Sequence, residues 1–433
     1  MSTMIRSLPA FLLFFCFLPF ESGAEKSIAP LEKESVIVLT WQDCIRETVE
    51  NHPDLISAKE RLNKAIADKV ITKSSNLPQI NGDLSGRTSK KEGEDETDGY
   101  SYGISGRQLL FDGFKTANDI AAASEGIKSA QFSYQVTSSN IRLNLRNAFV
   151  ELLRAQELLH ITKDIAGRRE QNLDLVKLRY EAGREHKGAV LTAQANLAQA
   201  EFEAAQAGRS ISLAQRKLIK ELGWERKVPI EVKGNFEVAY PEETPDFESM
   251  ADDVPSFHQL VSQKDAAGFG LKSVKAGFFP QVYANASAGR NASDWPPDED
   301  EWSVGLSLSL PIFEGGSRIA EVSRARAELV RAEAEKRSGW DSVILALEEA
   351  FKDLEDSVDN VEVKVKFLDA AQERAKIAYA QYSQGYISFD DWTIIEDDLV
   401  SSRKSYLNTR AQALIAESYW IQAKGGVLEY EQK

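Results

Sequence analysis

Apolar residues recur every seven positions through a proline-free stretch, 114–182. One stripe reads Leu145, Leu152, Leu159, Ala166, Leu173, Tyr180, and an earlier one Ile120, Ile127, Tyr134, Ile141, Ala148, Ala155. The later stripe returns downstream as Leu347, Leu354, Val361, Leu368, Ala375, Tyr382. A sustained period of seven predicts helices that supercoil left-handedly on a partner. About 70 residues at 1.5 Å each give a helix roughly 105 Å long. Shorter helical stretches over 41–75 and 188–222 flank it, 35 residues each. Together they match the long one, so the pattern predicts two half-length helices stacked end to end beside one full-length helix.

Between the first short helix and the long helix the period changes to two. Ile80, Gly82, Leu84 and Gly86 alternate with Asn81, Asp83, Ser85 and Arg87, and Tyr100, Tyr102 and Ile104 with Ser101, Gly103 and Ser105. Further on, Val282, Ala284, Ala286 and Ala288 alternate with Tyr283, Asn285, Ser287 and Gly289. Trp302, Val304, Leu306, Leu308 and Leu310 alternate with Ser303, Gly305, Ser307 and Ser309. Period two predicts strands with one apolar and one polar face. Their length, about 9–11 residues, suits a tilted transmembrane strand. Tyr100, Tyr102, Ile104, Val282, Trp302, Val304, Leu306 and Leu308 are the expected lipid-facing positions. Tyr100 and Trp302 sit just inside polar loops, where interfacial aromatics belong.

The chain also repeats itself. A shift of 202 positions aligns Pro53 with Pro255, Pro78-Gln79 with Pro280-Gln281, Phe111 with Phe313 and Gly113 with Gly315. It further pairs Ala148-Phe149 with Ala350-Phe351, Tyr180 with Tyr382, Gly183 with Gly385 and Gly223 with Gly425. One fixed offset for corners and core predicts two copies of one unit. The first spans 41–223, with a short helix, a β-hairpin over 79–110, a long helix over 113–182 and a short helix over 188–222. A Pro-rich connector occupies 224–250. The second copy spans 251–425, with its hairpin over 281–311 and helices over 315–384 and 388–424. A tail, 426–433, follows.

At the other end, Arg6, the apolar run Leu8–Phe20 and Ser22-Gly23-Ala24 have the order of a secretory signal peptide cut after Ala24. That leaves 25–40 as an N-terminal segment. The 13-residue run is shorter than the roughly 20 apolar residues that span a bilayer. Net charge is −15, from 67 acidic against 52 basic side chains, which argues against nucleic acid as a partner. Two cysteines and four histidines show no metal-ligand spacing, and no nucleophile or phosphate-loop motif occurs. The expectation is therefore no enzyme, no catalytic residue, no metal and no cofactor.

Four strands cannot close a barrel, and an open edge in lipid leaves backbone groups unpaired. If the strands enter a membrane, the chain must oligomerise. Two copies would give eight strands, with a filled interior, and three would give twelve, with room for a bore. Serine and glycine on the polar face favour a wet lumen. The competing reading is a soluble periplasmic coiled-coil adaptor or scaffold protein.

Three sets of residues carry a resemblance. Leu39-Thr40-Trp41-Gln42-Asp43-Cys44-Ile45 through Asn51-His52-Pro53-Asp54-Leu55 is similar to a first-helix signature. Leu109-Leu110-Phe111-Asp112-Gly113 and Leu310-Pro311-Ile312-Phe313-Glu314-Gly315-Gly316 are similar to strand-to-helix corners. Arg179-Tyr180-Glu181-Ala182-Gly183 and Gln381-Tyr382-Ser383-Gln384-Gly385 are similar to helix-tip turns. In this order, twice, they resemble the TolC-like outer-membrane efflux protein family over essentially the whole mature chain. The resemblance implies a mainly α fold with a membrane β-barrel. Four strands per chain would complete a twelve-stranded barrel in a homotrimer, continued by a long periplasmic α-helical barrel. It implies residence in the outer membrane of a Gram-negative-type bacterium, in contact with outer-membrane lipid and extending into the periplasm. The implied role is a passive exit duct of a tripartite efflux pump or type I secretion system. Its partners would be a periplasmic adaptor (membrane fusion) protein and an inner-membrane pump or ABC transporter.

In that family the second-copy tip forms a constricted entrance lined by aspartates. Asp391 falls on one position of that pattern. The next acidic position is Ile394 here, which leaves Asp390 or Glu396 as substitutes. The expectation is a negative ring of Asp390, Asp391 and Glu396 that sets selectivity. Copy one has Arg184 and Lys187 where copy two has Tyr386 and Phe389. A second expectation is that Arg184 or Lys187, with Tyr382, ties the tips closed, with Gly385, Tyr180 and Gly183 as the other tip contacts.

Overall fold

The computed structural model of the protein describes residues 36–90, 92–93, 96–238 and 244–429. The expected signal peptide, most of the N-terminal segment and the last four tail residues lie outside the described residues.

A short strand, β1 (Ile37–Leu39), leads into α1 (Trp41–Asn51). Thr40 caps α1 and Asp43 returns the bond, accepting from the Thr40 backbone N–H at 3.0 Å. That hydrogen bonding from Thr40 lowers the Asp43 pKa. The pattern predicts one helix over 41–75, but the structure breaks it at Pro53. Proline has no N–H to donate, yet it suits the first turn of a new helix. α2 (Pro53–Ser74) starts there, and His52 Nδ1 accepts from the Asp54 N–H at 3.2 Å. The second copy does the same, with α5 (Phe247–Ala251) followed by α6 (Pro255–Ala276).

Each copy then runs through a hairpin, a long helix and a half-length helix. The first has β2 (Gln79–Ser89), β3 (Thr97–Phe111), α3 (Lys115–Glu181) and α4 (Lys187–Leu222). The second has β5 (Gln281–Ala292), β6 (Glu299–Ser309), α7 (Ser317–Gln384) and α8 (Phe389–Ala423). α3 and α7 have 67 and 68 residues, about 100 Å each. Left-handed corners follow the 202 offset: Gly113 and Gly315, Gly183 and Gly385, Gly223 and Gly425 all have positive φ. At Gly223 a side chain is excluded twice over. Its φ is +75°, and a Cβ would lie 2.4 Å from the Asn51 carbonyl oxygen.

The connector is more ordered than its composition suggests. β4 (Ile230–Val232) pairs in parallel with β1, Ile37 opposite Ile230. This two-stranded patch packs on Leu145, Phe149, Leu152, Leu218 and Leu222, together with Cys44 and Ile45. The chain's far end returns to the same collar. Leu428 is buried there, and Glu429 accepts hydrogen bonds from the Tyr134 and Ser138 hydroxyls, both at 2.6 Å. A sister cluster in the second copy gathers Leu347, Phe351, Leu354 and Trp420 around Ala251 and Val254.

α3 is the central helix. It packs against α2 and α4 of its own copy and against α6 and α8 of the other. Among the described residues α7 packs to any extent only against α6, α8 and the short α5, and much of its surface is bare. Ile319, Val330, Leu345, Phe367 and Ile377 are exposed along it. Ile56, Ile66, Val70 and Ile71 are exposed along α2.

The sheet and the helix tips as candidate functional sites

The four long strands form one sheet in the order β2-β3-β5-β6, antiparallel throughout. The register fixes which side chains share a face. Ile104 stands opposite Gly82 and Ala288, and Ala288 opposite Trp302. Tyr102 stands opposite Leu84, and Val282 opposite Leu308. Tyr100, Tyr102, Ile104, Val282, Trp302, Val304, Leu306 and Leu308 therefore share one face. Trp302, Val304 and Leu306 are each about three-quarters exposed. Near the loop end the Arg290–Asp300 ion pair, at 2.7 Å, crosses this face in the row of Tyr102; the apolar band below it has no place in water.

The opposite face is a polar ladder. The Ser85 and Ser101 hydroxyls meet at 2.8 Å, as do those of Ser287 and Ser303. Ser105 donates to Asp83 at 3.1 Å and Asn285 to Ser307 at 2.9 Å. At the loop end of the apolar face, Trp295 packs edge-on to Tyr100 with ring centroids 6.1 Å apart. The outer strands β2 and β6 have 11 residues each and pair on one side only. No described helix is long and apolar enough to cross a membrane. The hairpins supply the apolar band instead.

At the far end of the helices lies the tip. Its core is Leu173, Val176, Ala189, Ala193, Ala378, Tyr382, Phe389 and Trp392. Tyr382 is fully buried, stacked on Trp392 with centroids 4.2 Å apart and planes 14° apart. The Arg179 guanidinium lies over the same ring at 4.6 Å and donates to the Tyr382 carbonyl at 2.7 Å. The Tyr382 hydroxyl donates to Glu185 at 2.9 Å. Burial first, then Glu185, pushes the Tyr382 phenol pKa up.

The structure thus differs from the expected tie. Arg184 and Lys187 are exposed, and Tyr382 is held by Arg179 and Glu185 instead. Arg179 sits on the last turn of α3, one turn before the corner, so its side chain reaches across to α7. Arg184 and Lys187 follow the Gly183 turn and point to solvent. Tyr180, the counterpart of Tyr382, is 43% exposed. The reason is its surroundings: the partner of Tyr382 is Trp392, and the position matching Trp392 in the first copy is Val190.

Glu396 also departs from expectation. It is 1% exposed and faces α3, not an open entrance. Arg168 grips it bidentately, both bonds 2.7 Å, and Asn172 donates to it at 3.1 Å. The hydrogen bonds to Glu396 raise the Arg168 pKa. Beside it Arg169 pairs with Asp397, and Arg374 bonds Asp398 at 3.0 Å. Of these acids only Glu396 is buried against α3; Asp397 and Asp398 stay exposed beside their arginines, Arg169 on α3 and Arg374 on α7. Asp390 and Asp391 remain exposed. Asp391 also belongs to the cap of α8, accepting from the Ser388 hydroxyl at 2.6 Å while its N–H donates back at 3.1 Å.

Arg168, Glu185 and Trp392 are not among the sequence candidates, and Arg179 is so only as part of a helix-tip motif. The repeat carried a usable signal for all four. At the matching positions Arg168 becomes Ala370, Arg179 becomes Gln381, Glu185 becomes Ile387 and Trp392 becomes Val190. Residues that break an internal symmetry mark where the two copies do different work.

With this geometry in hand, the likeness to known proteins has a physical meaning. The family profile described as "Outer membrane efflux protein" matches residues 44–224 and 252–426, one stretch for each copy. The outer membrane efflux protein BepC of Brucella suis is 23% identical over 409 residues, covering 90% of this chain and 87% of that protein. The outer membrane protein TolC of Vibrio cholerae is 22% identical, covering 82% of each. Among solved structures, the open state of the Neisseria gonorrhoeae MtrE outer membrane channel superposes with a TM-score of 0.81 at 17% identity. It covers 94% of this chain and 95% of that one. The outer membrane protein VceC of Vibrio cholerae gives 0.78 at 19% identity, covering 89% and 96%. At such identities these likenesses speak for the fold.

Proposed function

The chain belongs to the outer membrane efflux protein family, and on that premise we propose that three copies close one twelve-stranded barrel continued by a helical tube. It is an outer-membrane efflux channel extending into the periplasm, and such channels are not enzymes. The observation that carries the trimer is the sheet itself. Four strands present an apolar band on one face, a hydroxyl-rich ladder on the other and two unpaired edges of equal length. Lipid tolerates no such edge. Pairing β2 of one copy with β6 of the next removes it, and twelve strands leave a bore. The bare flanks of α2 and α7 lie where the next subunit would sit. Cysteines introduced on β2 and β6 test this reading. The expected product is a disulfide-linked ladder ending at a trimer in outer membranes. Links confined to dimers, or none, would end it.

The duct would receive cargo from an inner-membrane pump or ABC transporter through a periplasmic adaptor protein. Its tip would be shut by the bonds of Tyr382 to Glu185 and Arg179, and opening would exchange one packing for another. Asp390 and Asp391, present three times each, would favour cations at the entrance. Planar-bilayer recordings of Asp390→Ala/Asp391→Ala check this last point. Unchanged ion selectivity and unchanged divalent block would remove the ring.

A further inference from the structure

We propose that Arg107, backed by Tyr283, is a specificity-determining residue that forms a cationic belt at the foot of the barrel and favours anionic cargo there. The inference rests on the closed barrel proposed above. It starts from the distribution of charge on the polar face of the sheet. Near the loop end that face carries Asp83, Glu299 and Glu301 against the single guanidinium of Arg87. Toward the helices the rows read Asn81, Ser105, Ser287, Ser303, then Gln79, Arg107, Asn285, Gly305. Leu109, Tyr283 and Ser307 come next, then Gln281 and Ser309. Arg107 is the one charged residue in these lower rows. The lumen of an otherwise acidic chain therefore changes sign along its length.

The geometry holds that charge in place. The Arg107 guanidinium lies 3.7 Å from the centroid of the Tyr283 ring on the neighbouring strand. Tyr283 is itself pinned, its hydroxyl donating to Gln281 at 3.1 Å. Among the described residues no carboxylate forms an ion pair with Arg107. The reason is distance along the strands. Asp83 lies four residues from Gln79, the partner of Arg107, which is roughly 13 Å at the usual strand rise. Asp83 also already accepts from Ser105. Glu301 stands opposite Gly289, four residues from Asn285, so it is as remote. An aromatic face attracts the cation without neutralising it. Arg107 thus keeps its full charge facing the bore, once per subunit. A carboxylate-, sulfonate- or phosphate-bearing solute meets attraction at this level, after the acidic tip and before the acidic mouth.

The test is ion selectivity of the full-length channel in planar bilayers under a potassium chloride gradient. Near 10 mM salt the Debye length is about 30 Å and fixed charges reach across a wide bore, whereas near 1 M it is about 3 Å. At low salt Arg107→Gln should raise the cation-to-anion permeability ratio roughly threefold or more, and Arg107→Glu should raise it further. Both shifts should fade at high salt, and Arg107→Lys should stay near the parent value. Arg107→Cys guards against variants that fail to insert. It is opened first, then modified in place with a cationic or an anionic thiol reagent. The cationic adduct should restore the parent ratio and the anionic one should mimic Arg107→Glu. Pores whose ratio ignores both the substitutions and the adducts would overturn the inference. A parent protein that forms no pore would instead overturn the barrel on which it rests.

Discussion

Glu396 offers the sharpest test of how the two copies are held together. Replacing it with alanine removes a carboxylate that is 2% exposed at its side chain and accepts three hydrogen bonds from α3. Breaking a buried ion pair by deleting one partner costs about 3–5 kcal/mol, because the other charge is left behind. Arg168 retains 33% of its side-chain exposure, so water can reach part of the guanidinium. That places the expected loss just below this range, about 2–3 kcal/mol. Restoring compatibility should recover most of it, since a buried pair replaced by well-packed apolar residues is often close to neutral. Arg168→Met/Glu396→Leu should therefore be more stable than either single change. The assay is denaturant unfolding of the detergent-solubilised channel, followed by near-ultraviolet circular dichroism of the tip aromatics. A loss below about 1 kcal/mol for Glu396→Ala would refute the reasoning. So would a double variant whose cost equals the two single costs added.

Three further outcomes follow from other parts of the structure. Tyr382→Phe keeps the stack on Trp392 but drops the bond to Glu185, so it should cost about 1 kcal/mol and raise the open fraction in bilayers, whereas Tyr382→Ala should cost about 3–5; a Tyr382→Phe channel identical to the parent would deny the hydroxyl its part, and equal losses for the two variants would deny the ring its part. The collar should weaken in acid: the His52 imidazole, 3.8 Å away, and then the Lys220 ammonium at 2.8 Å hold the Glu221 pKa below 4.5 against desolvation, so its contribution is complete above that value and is lost as pH falls through the folded pKa. Glu221→Gln should flatten that acid limb in a pH series of unfolding midpoints, and an unaltered limb would count against the assignment. Cys44 is fully buried and desolvation pushes its pKa to about 12, so a maleimide should label it only in denaturant; labelling of the folded channel would show the collar open.

Much of this architecture could be read from period and offset alone. A seven-residue stripe 70 residues long has few solutions, and a period of two that switches on between proline and glycine corners locates the hairpins. The apolar face of the sheet was legible because alternation fixes the face once a register exists. The His52-Pro53 break was less so, because helical periodicity continues across it and only the missing N–H of proline stops the helix. β1 and β4 have three residues each and partners about 190 positions apart, so neither shows a local period. The tip was legible in position but not in pairing. Which acid is free and which is buried depends on helix faces meeting across copies. A run such as Glu396-Asp397-Asp398 looks uniformly solvated until α3 is laid against it and buries Glu396 alone. The useful clue was asymmetry: where Trp392 matches Val190 in the repeat, the two tyrosines ten residues earlier, on the long helices, part company.

The unmatched rims of β2 and β6 bear on the life of the protein before it reaches its destination. A lone copy afloat in the aqueous compartment is a sticky intermediate, since any extended peptide can add to either side and a second copy can seed a growing chain. Closing the barrel proposed above would stop that growth, so on that reading maturation races against clumping. Raising synthesis without raising delivery to the bilayer should fill the cell with insoluble protein well before it adds conduits.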